Sequence, residues 1–246
     1  PKITPTRGLN LPEAVLDLPA CHLYISLNAH PGRPEVLTAW LDPAVTDETD
    51  PLSTDPLLTM FDPDKGPPYS PEFVGRYRSA QVARNDRITD WCIAELEKLE
   101  ESGFRRDRAF NLYRTWADLR LLDGSLDPSD RPVGVCYAGD PYAANYSPRG
   151  IGLANTCRSW LSMWSLRESL CRGEPHLARI TVPSLVIQST ADTGVFPSDA
   201  HAIHDALAST DKTLQFMVGD HYLSEPEEAR TEVADQISGW LDRFGI

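Results

Sequence analysis

Residues 179–246 limit the fold more than any other stretch. "VPSLVIQS" is a short apolar strand bounded by Pro183. "FPSDAHAIHDAL" follows as a helix with Pro197 in its first turn and Ala200, Ile203 and Leu207 on one face. "TLQFMV" makes the next strand, and Ser224 with Glu227 forms an S-x-x-E capping box that opens a helix burying Val233, Ile237, Trp240 and Phe244. Two successive strand–loop–helix units return the chain to the same end of the sheet each time, so the strands must run parallel with helices on the sheet faces. The fold class this predicts is α/β.

The rest of the chain has another texture. The opening twenty residues read as a loop, and the first strand is "HLYISLN", His22 to Asn28, rich in β-branched and aromatic residues. From Pro34 to about Ala178 the chain is rich in Trp, Tyr, Arg and Pro, with few apolar runs of the kind that make buried parallel strands. "PEFVGRYRSAQVARNDRITDWCIAELEKLEESG" carries Phe73, Tyr77, Ile88, Trp91, Leu96 and Leu99 at helical spacing and stops at Gly103, which predicts one long amphipathic helix or two shorter ones. "RGIGLANTCRSWLSMWSLRESLC" reads as a further helix, with Trp160 and Trp164 four residues apart on one face. The expected organisation is an entry loop and first core strand over 1–35, a mainly helical insertion over 36–178, and a core over 179–246, with about three parallel strands in all.

Composition excludes several functions. A formal net charge of −13 opposes binding to nucleic acid or anionic membrane surfaces, both of which are held through clustered Lys and Arg. Acidic runs such as "DPAVTDETDP" read as solvated loops. No apolar run is long enough to cross a bilayer. The five cysteines (Cys21, Cys92, Cys136, Cys157, Cys171) are odd in number and contain no C-x-x-C pair, so reduced thiols in a cytoplasmic setting are expected rather than a zinc site or a disulfide framework. "PKITPTRGLNLPEA" lacks an initiator Met and the profile of a signal peptide, and reads as a cut start.

In open α/β sheets the ligand crevice forms from loops at the C-terminal ends of the strands. Two such loops present ionisable residues: "STADTGVFP" with Asp192 and "VGDHYL" with His221. A hydrolytic serine needs a neutral imidazole to take its proton, and the imidazole needs a carboxylate to fix its tautomer and stabilise its cation. Asp192 and His221 suit those two roles; the bland alternative is a carboxylate that satisfies loop N–H groups and a histidine that ends a strand. Asp199 is a rival acid, although it stands where a carboxylate complements a helix N-terminus. Asp220 adjoins His221 and is poorly placed to orient its ring. His201 and His204 lie three apart on a helix without a third metal ligand nearby, and His30 ends the first strand, where it either lines the pocket or is satisfied by its loop.

This pairing resembles the C-terminal part of the α/β-hydrolase superfamily, in which nucleophile, acid and base follow in that order along the chain. The resemblance is strongest over residues 179–246 and extends to "LYISLNAHPGR". It implies a partial α/β-hydrolase fold with residues 36–178 as a cap, a small-molecule ester, amide or related carbonyl substrate, and no metal or organic cofactor. No serine has Gly at both positions of a G-x-S-x-G elbow. "GVCYAG" puts Cys136 ahead of Asp192 and His221, like the cysteine elbow of dienelactone-hydrolase-like members. However, "DPSDRP" before it leaves no room for a strand, and "DPYAANYSPRG" after it does not read as a helix. The expectation is therefore that the nucleophile precedes Pro1. The chain would then be the C-terminal half of the fold, silent by itself, prone to associate through an exposed sheet edge, and completed by the missing N-terminal half. A non-catalytic binding module and a cysteine hydrolase using Cys136 are the alternatives.

Overall fold

The computed structural model describes residues 17–103, 107–148 and 150–245. Most of the expected opening loop lies outside them, as does Arg149. In chain order the elements are β1 (Tyr24–Leu27), α1 (Arg33–Trp40), β2 (Val45–Asp47), β3 (Asp50–Thr54), α2 (Pro71–Glu101), β4 (Ala109–Asn111), α3 (Pro141–Asn145), β5 (Ala154–Thr156), α4 (Cys157–Met163), α5 (Glu174–Leu177), β6 (Ser184–Ser189), α6 (Pro197–Ala206), β7 (Lys212–Met217) and α7 (Ala229–Leu241). β1, β6 and β7 form a parallel sheet in that order, Ile25 standing beside Leu185 and Val186 beside Leu214. The molecule is a mixed α/β fold with a three-stranded parallel sheet and seven helices among the described residues.

All six residues of β6 are buried because the strand is central and covered on both faces. Leu185 and Ile187 pack with Val233 and Trp240 of α7, and Val186 packs with Ala200 and Ile203 of α6. Each such apolar side chain contributes about 1.5–3 kcal/mol of burial, so this pattern of apolar residues is what fixes strand register and the two helix faces. β1 has one strand partner among the described residues, and Ile25, on the α7 side of the sheet, remains 36% exposed.

Between β1 and β6 the chain departs from a mainly helical insertion. α2 is a single 31-residue helix, capped by Ser70, whose Oγ accepts the Phe73 N–H, and followed by Gly103 at φ 74°. Around it lie two small antiparallel sheets, β2–β3 and β4–β5, and long irregular stretches. "DPAVTDETDP" forms a hairpin whose Asp47 and Asp50 are exposed, as a solvated acidic run should be, but whose first acid is not. Asp42 at its start is buried against Arg114 at 2.5 Å because it also accepts from the Ala44 N–H and from Asn145. The helix expected over "RGIGLANTCRSWLSMWSLRESLC" shortens to α4, since Ala154–Thr156 pair with β4 and Thr156 caps the helix; Trp160 and Trp164 still share one buried cluster. "DPYAAN" does form one turn of helix, α3, started by Asp140, which accepts the Ala143 N–H.

The Ser224–Glu227 capping box does not form. The Asp220 carboxylate takes the Ser224 N–H and the Asp220 N–H binds Glu225 O, which closes residues 220–225 into a turn, so α7 begins only at Ala229. No helix among the described residues is long and apolar enough to cross a membrane.

Candidate functional site

Because β6 and β7 are adjacent and parallel, the loops that follow them emerge at the same sheet edge. The ladder continues past the strands through Thr190 N–H to Met217 O and Ala191 N–H to Gly219 O, bringing Asp192 and His221 to one level. Nδ1 of His221 lies 2.7 Å from Oδ2 of Asp192. A carboxylate can only accept, so Nδ1–H donates, and in a neutral ring Nε2 keeps its lone pair. Asp192 is 1% exposed and the His221 side chain 24%, so the acid is sealed while the imidazole reaches the surface.

The other oxygen of Asp192 is held three times. Oδ1 accepts the N–H groups of Gly194 at 2.9 Å and Val195 at 3.0 Å and the phenol of Tyr137 at 2.9 Å. The two amides satisfy the loop itself, while Tyr137 arrives from the segment between β1 and β6. Its ring lies 4.7 Å from that of His221 and 5.7 Å from that of Tyr222, and Tyr222 stands edge-on to His221 at 4.9 Å. Burial, with Asp192 adding to it, pushes the Tyr137 phenol far above its ordinary pKa, so it stays a donor.

Behind the pair, Asn28 ties three strand tips together. Its Oδ1 accepts the Ser189 N–H at 2.7 Å, and its Nδ2 donates to Ser189 Oγ at 2.9 Å and to the His221 carbonyl at 3.1 Å. It adopts φ 44° at the end of β1, a left-handed conformation that Asn tolerates better than most residues.

The remaining candidates take other places. Asp199 accepts the Phe196 N–H at the start of α6, and burial raises its carboxyl to about 6 against the pull of Arg120 at 3.7 Å. Asp220 is engaged with Ser224. His201 packs on Phe216, and His204 faces Asp205. His30 has a buried Nδ1 without a partner among the described residues, and burial followed by Arg33 lowers its pKa.

Cys136 is 3% exposed in a cluster with Trp40, Trp116 and Phe196, and burial raises its thiol pKa. It exchanges both backbone hydrogen bonds with Gly139, at 2.8 and 2.9 Å, which makes a tight turn with Tyr137 and Ala138 at the tip. In a nucleophile elbow the reactive side chain stands exposed at the tip. Here the side chain that reaches the site from "GVCYAG" is Tyr137.

Sequence reasoning reached Asp192 and His221 but missed Tyr137, Asn28 and Ser189. The only signal for Tyr137 was its place in the Gly-flanked turn already singled out for its cysteine. No family model matches the chain, and no curated protein sequence matches it.

Proposed function

We propose that this chain supplies the acid, Asp192, and the general base, His221, of a serine-type α/β hydrolase acting on a small-molecule ester, amide or related carbonyl substrate. The observation that carries the reading is the 2.7 Å contact between His221 Nδ1 and Asp192 Oδ2 at the ends of adjacent parallel strands. A buried carboxylate with one oxygen saturated and the other on Nδ1 is what a general-base imidazole needs: a fixed tautomer, a stabilised cation and a free Nε2. The segment between β1 and β6, which covers the pair with Tyr137, would act as the cap.

The nucleophile belongs, on this reading, to strands that pair with the edge of β1 opposite β6. Support comes from β1 having one strand partner among the described residues and from the exposure of Ile25 beside it. A cysteine mechanism through Cys136 gains nothing from a sealed thiol whose pKa is raised. The free cysteines among the described residues fit a reducing, cytoplasmic setting.

The test is turnover of an activated ester by a protein extended upstream through a nucleophile elbow. The extended protein should be active and monodisperse. His221→Ala should lower kcat by roughly 10⁴-fold or more, and Cys136→Ser should leave it unchanged. Residues 1–246 alone should show no turnover and bind a hydrophobic dye. Full activity in His221→Ala would end the reading.

A further inference from the structure

We propose that Tyr137 is a positioning residue: its phenol, carried to the site on the Cys136–Gly139 turn, sets how strongly Asp192 accepts the Nδ1–H of His221. This deepens the acid–base reading above and rests on it. The chemistry lies in the division of labour between the two carboxylate oxygens. Oδ2 faces His221 at 2.7 Å, while Oδ1 takes three donors. Two lone pairs suit two in-plane donors, and the Gly194 and Val195 amides already supply them. The phenol is the additional donor, and each donor withdraws charge from the carboxylate that would otherwise strengthen the bond to the imidazole.

The contact is built from both sides. On the side of the acid, position 194 carries no Cβ; one placed there would lie 2.2 Å from Tyr137 Cζ and 2.5 Å from its hydroxyl oxygen. Glycine at 194 is therefore what admits the phenol. On the other side, the turn is closed by the paired Cys136 and Gly139 backbone bonds with Gly139 at φ 97°. The Tyr137 ring is flanked edge-on by Trp40 at 5.9 Å and Trp116 at 6.4 Å. The phenol cannot leave Oδ1 without disturbing that packing, so the placement of the segment between β1 and β6 is read directly by the acid. The hydroxyl and the ring do separable things: the ring packs at a tilt against His221, and the hydroxyl donates to Asp192.

Tyr137→Phe removes the hydroxyl and keeps the ring, so a role in packing alone would leave the His221–Asp192 bond unaltered. The experiment is proton NMR of the 246-residue chain labelled with ¹⁵N at histidine, with the Nδ1–H resonance of His221 assigned by its loss in His221→Gln. Tyr137→Phe should move that resonance downfield at constant pH, because a carboxylate with one donor fewer is the stronger acceptor. Gly194→Ala, whose methyl displaces the phenol, should move it the same way and decides the matter if Tyr137→Phe does not fold. A resonance unmoved in the folded variant overturns the proposal. Turnover separates this from the hydrolase reading: an inactive extended protein with a shifted resonance would remove the enzyme and keep the positioning role, and an active one with an unmoved resonance would do the reverse.

Discussion

β6 is the fully buried strand of one half of this molecule and α2 the longest helix of the other, and their buried faces are satisfied in opposite ways. β6 presents Leu185, Val186 and Ile187 to helices on either side, and its backbone is satisfied by neighbouring strands. The buried face of α2 includes Gln81, Arg84, Asn85 and Thr89. These side chains reach the C-terminal ends of α1 and α4 and the irregular chain beside them. Gln81 donates to the carbonyls of Ala39 and Leu41, Arg84 to those of Asp42, Tyr113 and Arg114, and Asn85 to Thr38 Oγ1 and the Trp164 carbonyl. Backbone without a ladder must find partners elsewhere, because an unpaired buried carbonyl or amide costs about as much as a lost hydrogen bond. In the sheet half the ladder supplies them. In the other half a long helix supplies them from its side chains.

The comparison breaks most easily at Asp42. Its carboxylate neutralises Arg114, which is itself buried, while accepting from Asn145 and the Ala44 N–H. Asp42→Asn keeps the shape and removes the charge, so Arg114 is left buried without its counter-ion. Removing one partner of such a pair costs about 3–5 kcal/mol. The expected result in urea is a large drop in midpoint. A loss of less than about 1 kcal/mol would show that water reaches this pair and that the polar half is less dry than its geometry indicates.

That contrast also explains what the sequence disclosed. The strands around Leu185 and Leu214, the face Ala200–Ile203–Leu207 and the helical stretch ending before Gly103 follow from periodicity, a local property of the chain, although periodicity left open whether that stretch was one helix or two. The approach of Asp192 to His221 follows from strand order, which two βα units nearly dictate. The burial of Asp42, Arg84 and Arg114 does not follow, because a charge inside a protein depends on a partner 30 or more residues away, as Arg84 and Asp42 each show. The same limit hid Tyr137, whose partner Asp192 lies 55 residues downstream, and the capping box failed because Asp220 competed for Ser224.

Asp199 stands where the two halves meet, on the first turn of α6 with Arg120 and Asp127 of the other half close by. Burial raises its carboxyl from an ordinary value near 4 to about 6, more than Arg120 offsets. For an acid whose pKa rises on folding, the favourable contribution is complete below pH 4 and is lost as pH climbs through 6. Ionising it in place costs up to about 3 kcal/mol. Asp199→Asn retains an acceptor for the Phe196 N–H and removes that cost. The stability of the variant relative to the parent should therefore grow by about 1–3 kcal/mol between pH 4 and pH 8 in denaturant titrations. A difference that stays flat with pH would mean that Arg120 holds Asp199 ionised throughout and ties the halves together electrostatically.

The smallest expected effect gives the comparison its sharpest edge. Ile187 is 1% exposed in β6 and packs with Leu185, Met217 and Trp240 on the α7 face. Ile187→Val removes one methyl group and leaves every backbone bond of the ladder intact, since both residues are β-branched and suit a strand equally. The loss should be about 0.5–1.5 kcal/mol, from transfer and residual cavity alone. Asp42→Asn replaces one atom with another of nearly the same size, yet should cost several times as much. If size governed both halves, the order would reverse. Measured by the same urea titration with unchanged slope, equal or inverted losses would show that the polar half is held by apolar clusters such as that around Trp160 rather than by its buried ion pair.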